Sequence, residues 1–221
     1  MPITTMKNAF TPISVIILAS LLAAFLYYPS LPSVMATHWD GNGNPNGYMQ
    51  KGAGAFLIPI LLSFLFVLFA LLPRFDKKLQ DSKETQKYYY EFITVVFLFL
   101  VYIHSLVLVW NLMPFSFDLV QFMIPGFAAL IYFMGYAIGH AKQNYTMGIR
   151  LPPTLSNEKV WDKTHRLGSL LFKISAAISL MGMLLPNYSF FILIGSIIIS
   201  TIICVAYAYL EYHRLVGKNH A

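Results

Sequence analysis

The sequence predicts an all-α, polytopic membrane protein, a six-helix transmembrane bundle with both termini cytoplasmic, and three observations predict it. Of 221 residues, 57% are apolar and 11% charged, with a mean hydropathy of +0.63, where an average soluble domain carries roughly 25% charged residues. Six apolar runs, at 10–28, 53–72, 92–110, 119–140, 167–185 and 190–209, are each near the ~20 residues that cross a hydrocarbon core as helix. They are too continuous for the alternating strands of a lipid-facing barrel. With six crossings, 14 of the 15 Lys and Arg residues fall on one side, and only Lys51 falls on the other. The positive-inside rule makes the basic side, with both termini, cytoplasmic.

The first run follows Lys7 and has the outline of a secretory signal. Its apolar stretch exceeds the ~7–15 residues of a signal core, and no small-x-small cleavage site follows, so it reads as an anchor. An outer loop at 29–52 leads to the second run. Together these make a first part, 1–72, of a single compact membrane domain; the four-span remainder, 73–221, completes it. The first cytoplasmic loop, 73–91, mixes charges and ends in Tyr88, Tyr89 and Tyr90, which read as an interfacial aromatic belt. A short outer turn at 111–118, a second cytoplasmic loop at 141–166 and a tight outer turn at 186–189 join the rest. The lone Cys204 has no partner for an intramolecular disulfide. The net charge of +6 reflects topology and contact with anionic lipid, not direct nucleic-acid binding.

The outer loop carries THWDGNGNPNGY at 37–48. Its Asp40-x-Asn42-x-Asn44 spacing imitates a calcium loop, but Pro45 stands where such a loop needs Gly and Lys51 where it needs a bidentate Glu. His38 has no nearby Cys, His or acid to complete a zinc site. The residues instead specify successive tight turns, at Asp40-Gly41, Asn42-Gly43 and Asn46-Gly47, with positive φ at glycine. Trp39 and Tyr48 suit a membrane interface or a partner, with His38, Asp40 and Lys51 supplying directional polarity. A structural lid and a ligand contact are both open to this loop. His38-Trp39, Gly43, Pro45, Gly47-Tyr48 and Lys51 resemble the outer-loop signature of the SdpI family of bacterial membrane proteins. Asn46 stands where that family often has Asp, which keeps the turn and removes a charge.

The inner loop and the run after it read MGIRLPPTLSNEKVWDKTHRLGSLLF. Pro152 and Pro153 bar a helix, Ser156 or Asn157 caps the next one, and Glu158 suits its first turn. Trp161 and His165 then fall one turn apart on one face. The segment is an elbow leading into the fifth run. Arg150, Lys159, Lys163 and Arg166 reach lipid phosphates, and Lys173 snorkels to the same boundary. The elbow serves either to orient the bundle or to dock a cytoplasmic partner. Gly148-Ile149-Arg150, Pro152, Thr154-Leu155, Asn157-Glu158, Val160-Trp161 and Thr164-His165-Arg166 are similar to the cytoplasmic signature of the same family. The family usually has Thr-Pro-Trp at Leu151-Pro152-Pro153 and Gly at Ser169.

The resemblance implies a membrane immunity protein that gives resistance to a secreted antimicrobial peptide toxin, met at the outer face, and that also acts as a signal receptor recruiting a cytoplasmic autorepressor. It implies ligand contact through His38, Trp39, Asp40, Gly47, Tyr48 and Lys51. Partner docking falls to Arg150, Asn157, Glu158, Trp161, His165 and Arg166. No catalytic residue, metal or cofactor is expected: His-Glu-x-x-His, Gly-x-Ser-x-Gly and paired intramembrane aspartates are all absent from the sequence. A small-molecule or ion transporter is the alternative and needs a polar cavity lined by His104, Gln121 and Asn111. A membrane enzyme would need a metal, or a nucleophile beside a base. His104 reads as a neutral histidine bonded to a neighbouring helix, with Gly135 and Gly139 allowing close helix approach.

Overall fold

The computed structural model describes residues 3–217; Lys218 lies outside them, as does the side chain of Lys7. Among the described residues the order is α1 (Ile3–Tyr27), β1 (Val34–Trp39), β2 (Pro45–Gln50), α2 (Lys51–Leu71), α3 (Lys77–Asp81), α4 (Lys83–Leu112), α5 (Leu119–His140), α6 (Pro152–Ser156), α7 (Glu158–Gly182) and α8 (Ser189–Gly217). Five stretches, Phe10–Ser30, Lys51–Phe75, Lys83–Leu112, Leu119–His140 and Pro186–Leu215, are long and apolar enough to cross a membrane. Their burial pattern is inverted relative to a water-soluble fold. Phe25, Phe64, Leu98, Phe122 and Ile199 face outward, while Ser20, His104, Asn111 and Ser200 are buried. Lipid is the solvent that suits such a surface.

The run expected at 167–185 lies mostly within α7, which is helical but less apolar than the other five. The reason is twofold: its first three turns carry Glu158, Lys159, Asp162, Lys163, His165 and Arg166, and its packed face, with Gly168, Ser169, Ser175, Ala176, Ser179 and Gly182, is a small, partly polar stripe. That stripe faces α5 and α8. A Cβ on Gly139 would stand 2.6 Å from Ser169 Oγ, and one on Gly135 would stand 3.0 Å from Ser169 O. On the other side Ser175 Oγ donates to Ser196 O at 3.0 Å and lies 2.8 Å from Ser200 Oγ. Small residues let backbones approach where burial of apolar surface gives no driving force. Leu170, Ile174, Ile178 and Met181 occupy the outward face of the same helix.

Three local expectations are corrected. The outer loop is a β-hairpin and more than a chain of turns: β1 and β2 pair antiparallel, from Val34 opposite Gln50 to Trp39 opposite Pro45. Of its glycines only Gly43 takes a positive φ, +82°; Gly47 lies within β2 opposite His38, where a Cβ would come 2.8 Å from His38 Cβ. Tyr88, Tyr89 and Tyr90 are buried, not an exposed interfacial belt. Helix α4 begins at Lys83, well before its apolar run, and carries these rings into the bundle. Tyr88 stacks on His140 at 4.5 Å, Tyr90 meets Phe10 edge-on at 5.5 Å, and Tyr89 Oη donates to Phe69 O at 2.9 Å. Pro152 and Pro153 start α6 instead of barring it, because proline costs little in a first turn whose N–H groups have no intrahelical acceptor.

Candidate functional site: an outer hairpin cap and an inner elbow

One side-chain amide hydrogen-bonds the hairpin to α4. Asn111, near the outer end of α4, accepts from Ala36 N at 2.8 Å and donates to Ala36 O at 2.9 Å, replacing the strand neighbour that β1 lacks on that side. Trp39 is buried edge-on against Trp110, with ring centroids 5.2 Å apart, and its indole N–H is buried without an acceptor. At the tip, Asp40 Oδ1 accepts from Asn42 N and Asn44 N, both at 2.9 Å, and Gly43 N donates to Asp40 O at 3.1 Å. The amides at Asn44 and Asn42 hold the Asp40 carboxyl below its usual pKa, with burial opposing them. The carboxylate thus organises a turn, as the turn chemistry required.

The other expected outer residues spread along the hairpin. His38 is exposed and its Nδ1 lies 2.5 Å from Asn46 Oδ1. Tyr48 is exposed, and Lys51 at the base donates to Pro29 O at 3.3 Å and lies over the Tyr28 ring. The tip rests on the outer ends of two helices: a Cβ on Gly41 would be 2.9 Å from Phe190, and one on Gly43 would be 2.8 Å from Asp118 Oδ1. Beneath it is a cavity of about 190 Å³ between β1, α5 and α8, with Trp39, Ile124, Phe127 and Leu193 in its wall and His38 and Asp40 in its lining.

At the inner end, Asn157 Oδ1 accepts from Lys159 N and Val160 N, which caps α7. Trp161 and His165 are both buried and stack at 3.8 Å. The histidine's roles follow from its partners: Ile149 N donates to Nε2 at 2.9 Å, so Nδ1 carries the proton and donates to Trp161 O at 2.8 Å. Burial pushes the His165 pKa down to about 4, with the Trp161 carbonyl opposing it. Trp161 Nε1 donates to Ala141 O at 2.8 Å. The pair therefore holds both ends of the segment from Ala141 to Ile149. Gly148, at φ +128°, passes across it where a Cβ would collide with His165 Nε2. Arg150, Glu158 and Arg166 are exposed, and Arg150 Nη1 donates to Tyr145 O.

The sequence reading did not single out the residues that join the two cytoplasmic loops. Asp76 caps α3 through Oδ1, while its Oδ2 accepts from Tyr145 N and Thr146 Oγ1, both at 2.7 Å. Asn144 makes four bonds across its own turn, and Gln143 Nε2 donates to Thr154 O and Leu155 O. Beside them lies an open cleft of about 810 Å³ lined by both signs of charge, including Lys78, Lys142, Glu84, Glu158 and Asp162.

His104 joins three helices as a histidine bonded to its neighbours. Its Nε2 lies 3.1 Å from Ala55 O and its Nδ1 2.7 Å from Ser20 Oγ. Ala55 O is available because the residue four positions on is Pro59, which has no N–H to offer it. His104, Asn111 and Gln121 do not share one cavity wall through their bonds: Gln121 Nε2 goes to Ser189 Oγ at 3.1 Å, and the other two are committed elsewhere. Among the described residues, no three His, Cys, Asp or Glu side chains gather as metal ligands.

This arrangement defines a multi-pass helical membrane protein with a pinned outer hairpin and an inner elbow closed on a Trp–His stack. Residues 15–62 match a domain of unknown function (DUF1648), and residues 140–208 match the SdpI/YfhL protein family. The protein called Immunity protein SdpI in Bacillus subtilis (strain 168) is 25% identical over 208 residues, which is 93% of this chain and 96% of that protein. No solved structure matches the chain. These matches support the SdpI family, and they fall on the outer hairpin and the inner elbow whose motifs resembled it. The chain is a multi-pass bacterial membrane protein.

Proposed function

We propose that the protein is a non-enzymatic immunity protein that protects the membrane holding it from a secreted antimicrobial peptide, which it meets at the outer hairpin. The chain crosses six times, α7 included, with both ends in the cytoplasm. The observation that carries this reading is the end-to-end correspondence with an immunity protein, at 93% of one chain and 96% of the other. The geometry supports it by presenting a fixed surface: Asn111 and Trp39 hold the hairpin, and His38 and Tyr48 are exposed on it. A second role, recruitment of a cytoplasmic repressor, draws support from the charged cleft and the exposed Glu158 beside the elbow. Arg150 and Arg166 are exposed where anionic headgroups would meet the elbow.

Peptide-sensitive cells that make the protein, challenged with spent medium of the organism that carries the gene, are expected to outlive cells with empty vector. Equal killing at normal membrane abundance of the protein overturns the reading.

A further inference from the structure

We infer that the cavity beneath the hairpin is a side-chain pocket for a cationic amphipathic peptide, taking one bulky apolar side chain while a neighbouring Lys or Arg meets the acidic rim. The inference rests on the proposed function and specifies its ligand. The wall is apolar, with Ile124, Phe127, Leu193 and the Trp39 ring, and about 190 Å³ is several times the ~30 Å³ a water occupies in the liquid. A pocket of that size takes a single aliphatic or aromatic side chain and no more.

The charge distribution at the outer end selects the neighbour. In the outer loops, 29–52, 111–118 and 183–189, the charged residues are Asp40, Lys51 and Asp118. Lys51 lies at the hairpin base over Tyr28 and bonded to Pro29 O. Both acids lie at the tip: Asp40 lines the cavity, and Asp118, exposed, is in reach of the Gly43 turn that Asp40 organises. Asp40 is kept ionised by the two backbone amides it accepts, so its charge is fixed in place. An apolar pocket beside the fixed Asp40 carboxylate, with Asp118 near the same turn, matches a ligand that pairs an apolar group with a cation and disfavours one that pairs it with an acid.

The test uses the full-length protein in lipid nanodiscs, with ¹⁵N-labelled tryptophan. The Trp39 indole signal is assigned by its loss in Trp39→Phe, and the Trp161 signal, bonded to Ala141 O, reports that the inner end is folded. The probes are N-acetyl-Leu-Lys-amide, N-acetyl-Gly-Lys-amide and N-acetyl-Leu-Glu-amide. Leu-Lys is expected to shift Trp39 saturably, with Gly-Lys about tenfold or more weaker from the lost apolar burial. Leu-Glu is expected to be about threefold or more weaker, with the gap closing in high salt and in Asp40→Asn. Met123→Trp, which fills the cavity, is expected to abolish the response while Trp161 is unchanged. Equal responses to Leu-Lys and Leu-Glu, or a full response in Met123→Trp, overturn the inference. Protection of cells that persists in Met123→Trp sinks the pocket alone, whereas an intact pocket in a protein that protects no cells sinks the immunity reading alone.

Discussion

Trp39 reads in sequence as an amphipathic contact on an outer loop, and in the fold its ring is packing. Because it is buried against Trp110, Trp39→Ala is expected to cost about 3–5 kcal/mol of stability and to lower the amount of folded protein, measured by thermal unfolding in detergent and by membrane abundance. Tyr48→Ala, at an exposed position, is expected to leave both unchanged. Tyr48 is thus the cleaner probe of ligand contact. His165 behaves in the opposite way from a surface histidine. Its pKa falls from 6.5 to about 4 on folding, so the unfolded chain takes up the proton first. Its contribution is complete above pH 6.5 and declines as pH falls from 6.5 towards 4, with about 2 kcal/mol lost by pH 5. Unfolding temperatures at pH 7.5 and pH 5 check this, and the histidine part of the acid loss is expected to vanish in His165→Gln. The Trp161–His165 spacing was legible because helix periodicity alone puts residues four apart together. The partner of each ring was not, since Ala141 O and Ile149 N reach it through a loop whose path no local rule dictates.

At the scale of elements, two polar side chains replace hydrogen bonds that the backbone cannot make. Asn111 completes β1, so Asn111→Leu is expected to loosen the hairpin while the helices persist, seen as faster amide exchange across 34–50. Unchanged exchange would show that β1 is held by packing alone. His104 answers the carbonyl that Pro59 leaves free. A double-mutant cycle checks that pairing: His104→Leu is expected to cost about 1–3 kcal/mol in the parent and clearly less in a Pro59→Ala background, where the backbone N–H gained at that position takes over Ala55 O. Equal costs would remove the explanation. Pro59 and His104 are each visible in sequence, yet their relation exists only once α2 and α4 are side by side. The hairpin itself was partly legible. Gly43 takes the positive φ that its Asn-Gly turn requires, but the strands around it are short, and the β1 bond to Asn111 comes from 75 residues away.

For the whole molecule, the apolar runs located the long helices and hid the character of α7. A helix that opens on the charged turns from Glu158 to Arg166 and packs on two neighbours through Gly168, Ser169, Ser175 and Ser179 has few apolar residues outside its lipid-facing side, so hydropathy understates it while its outward Leu170, Ile174 and Ile178 still suit lipid. The proposal that α7 crosses, with 14 of 15 basic residues inside, sets the hairpin outside the cell and the elbow within. On that proposal the hairpin is the outer surface that a secreted peptide meets. Cysteine labelling in intact cells tests it most directly, with Asn44→Cys at the exposed tip, Glu158→Cys at the exposed start of α7, and the native Cys204 buried. An impermeant maleimide is expected to label position 44 and spare position 158 until the cells are opened, and spent medium containing the peptide is expected to slow labelling at 44. Labelling at 158 with none at 44 in sealed cells, or a rate at 44 that the peptide leaves untouched, would show that the hairpin is not that surface.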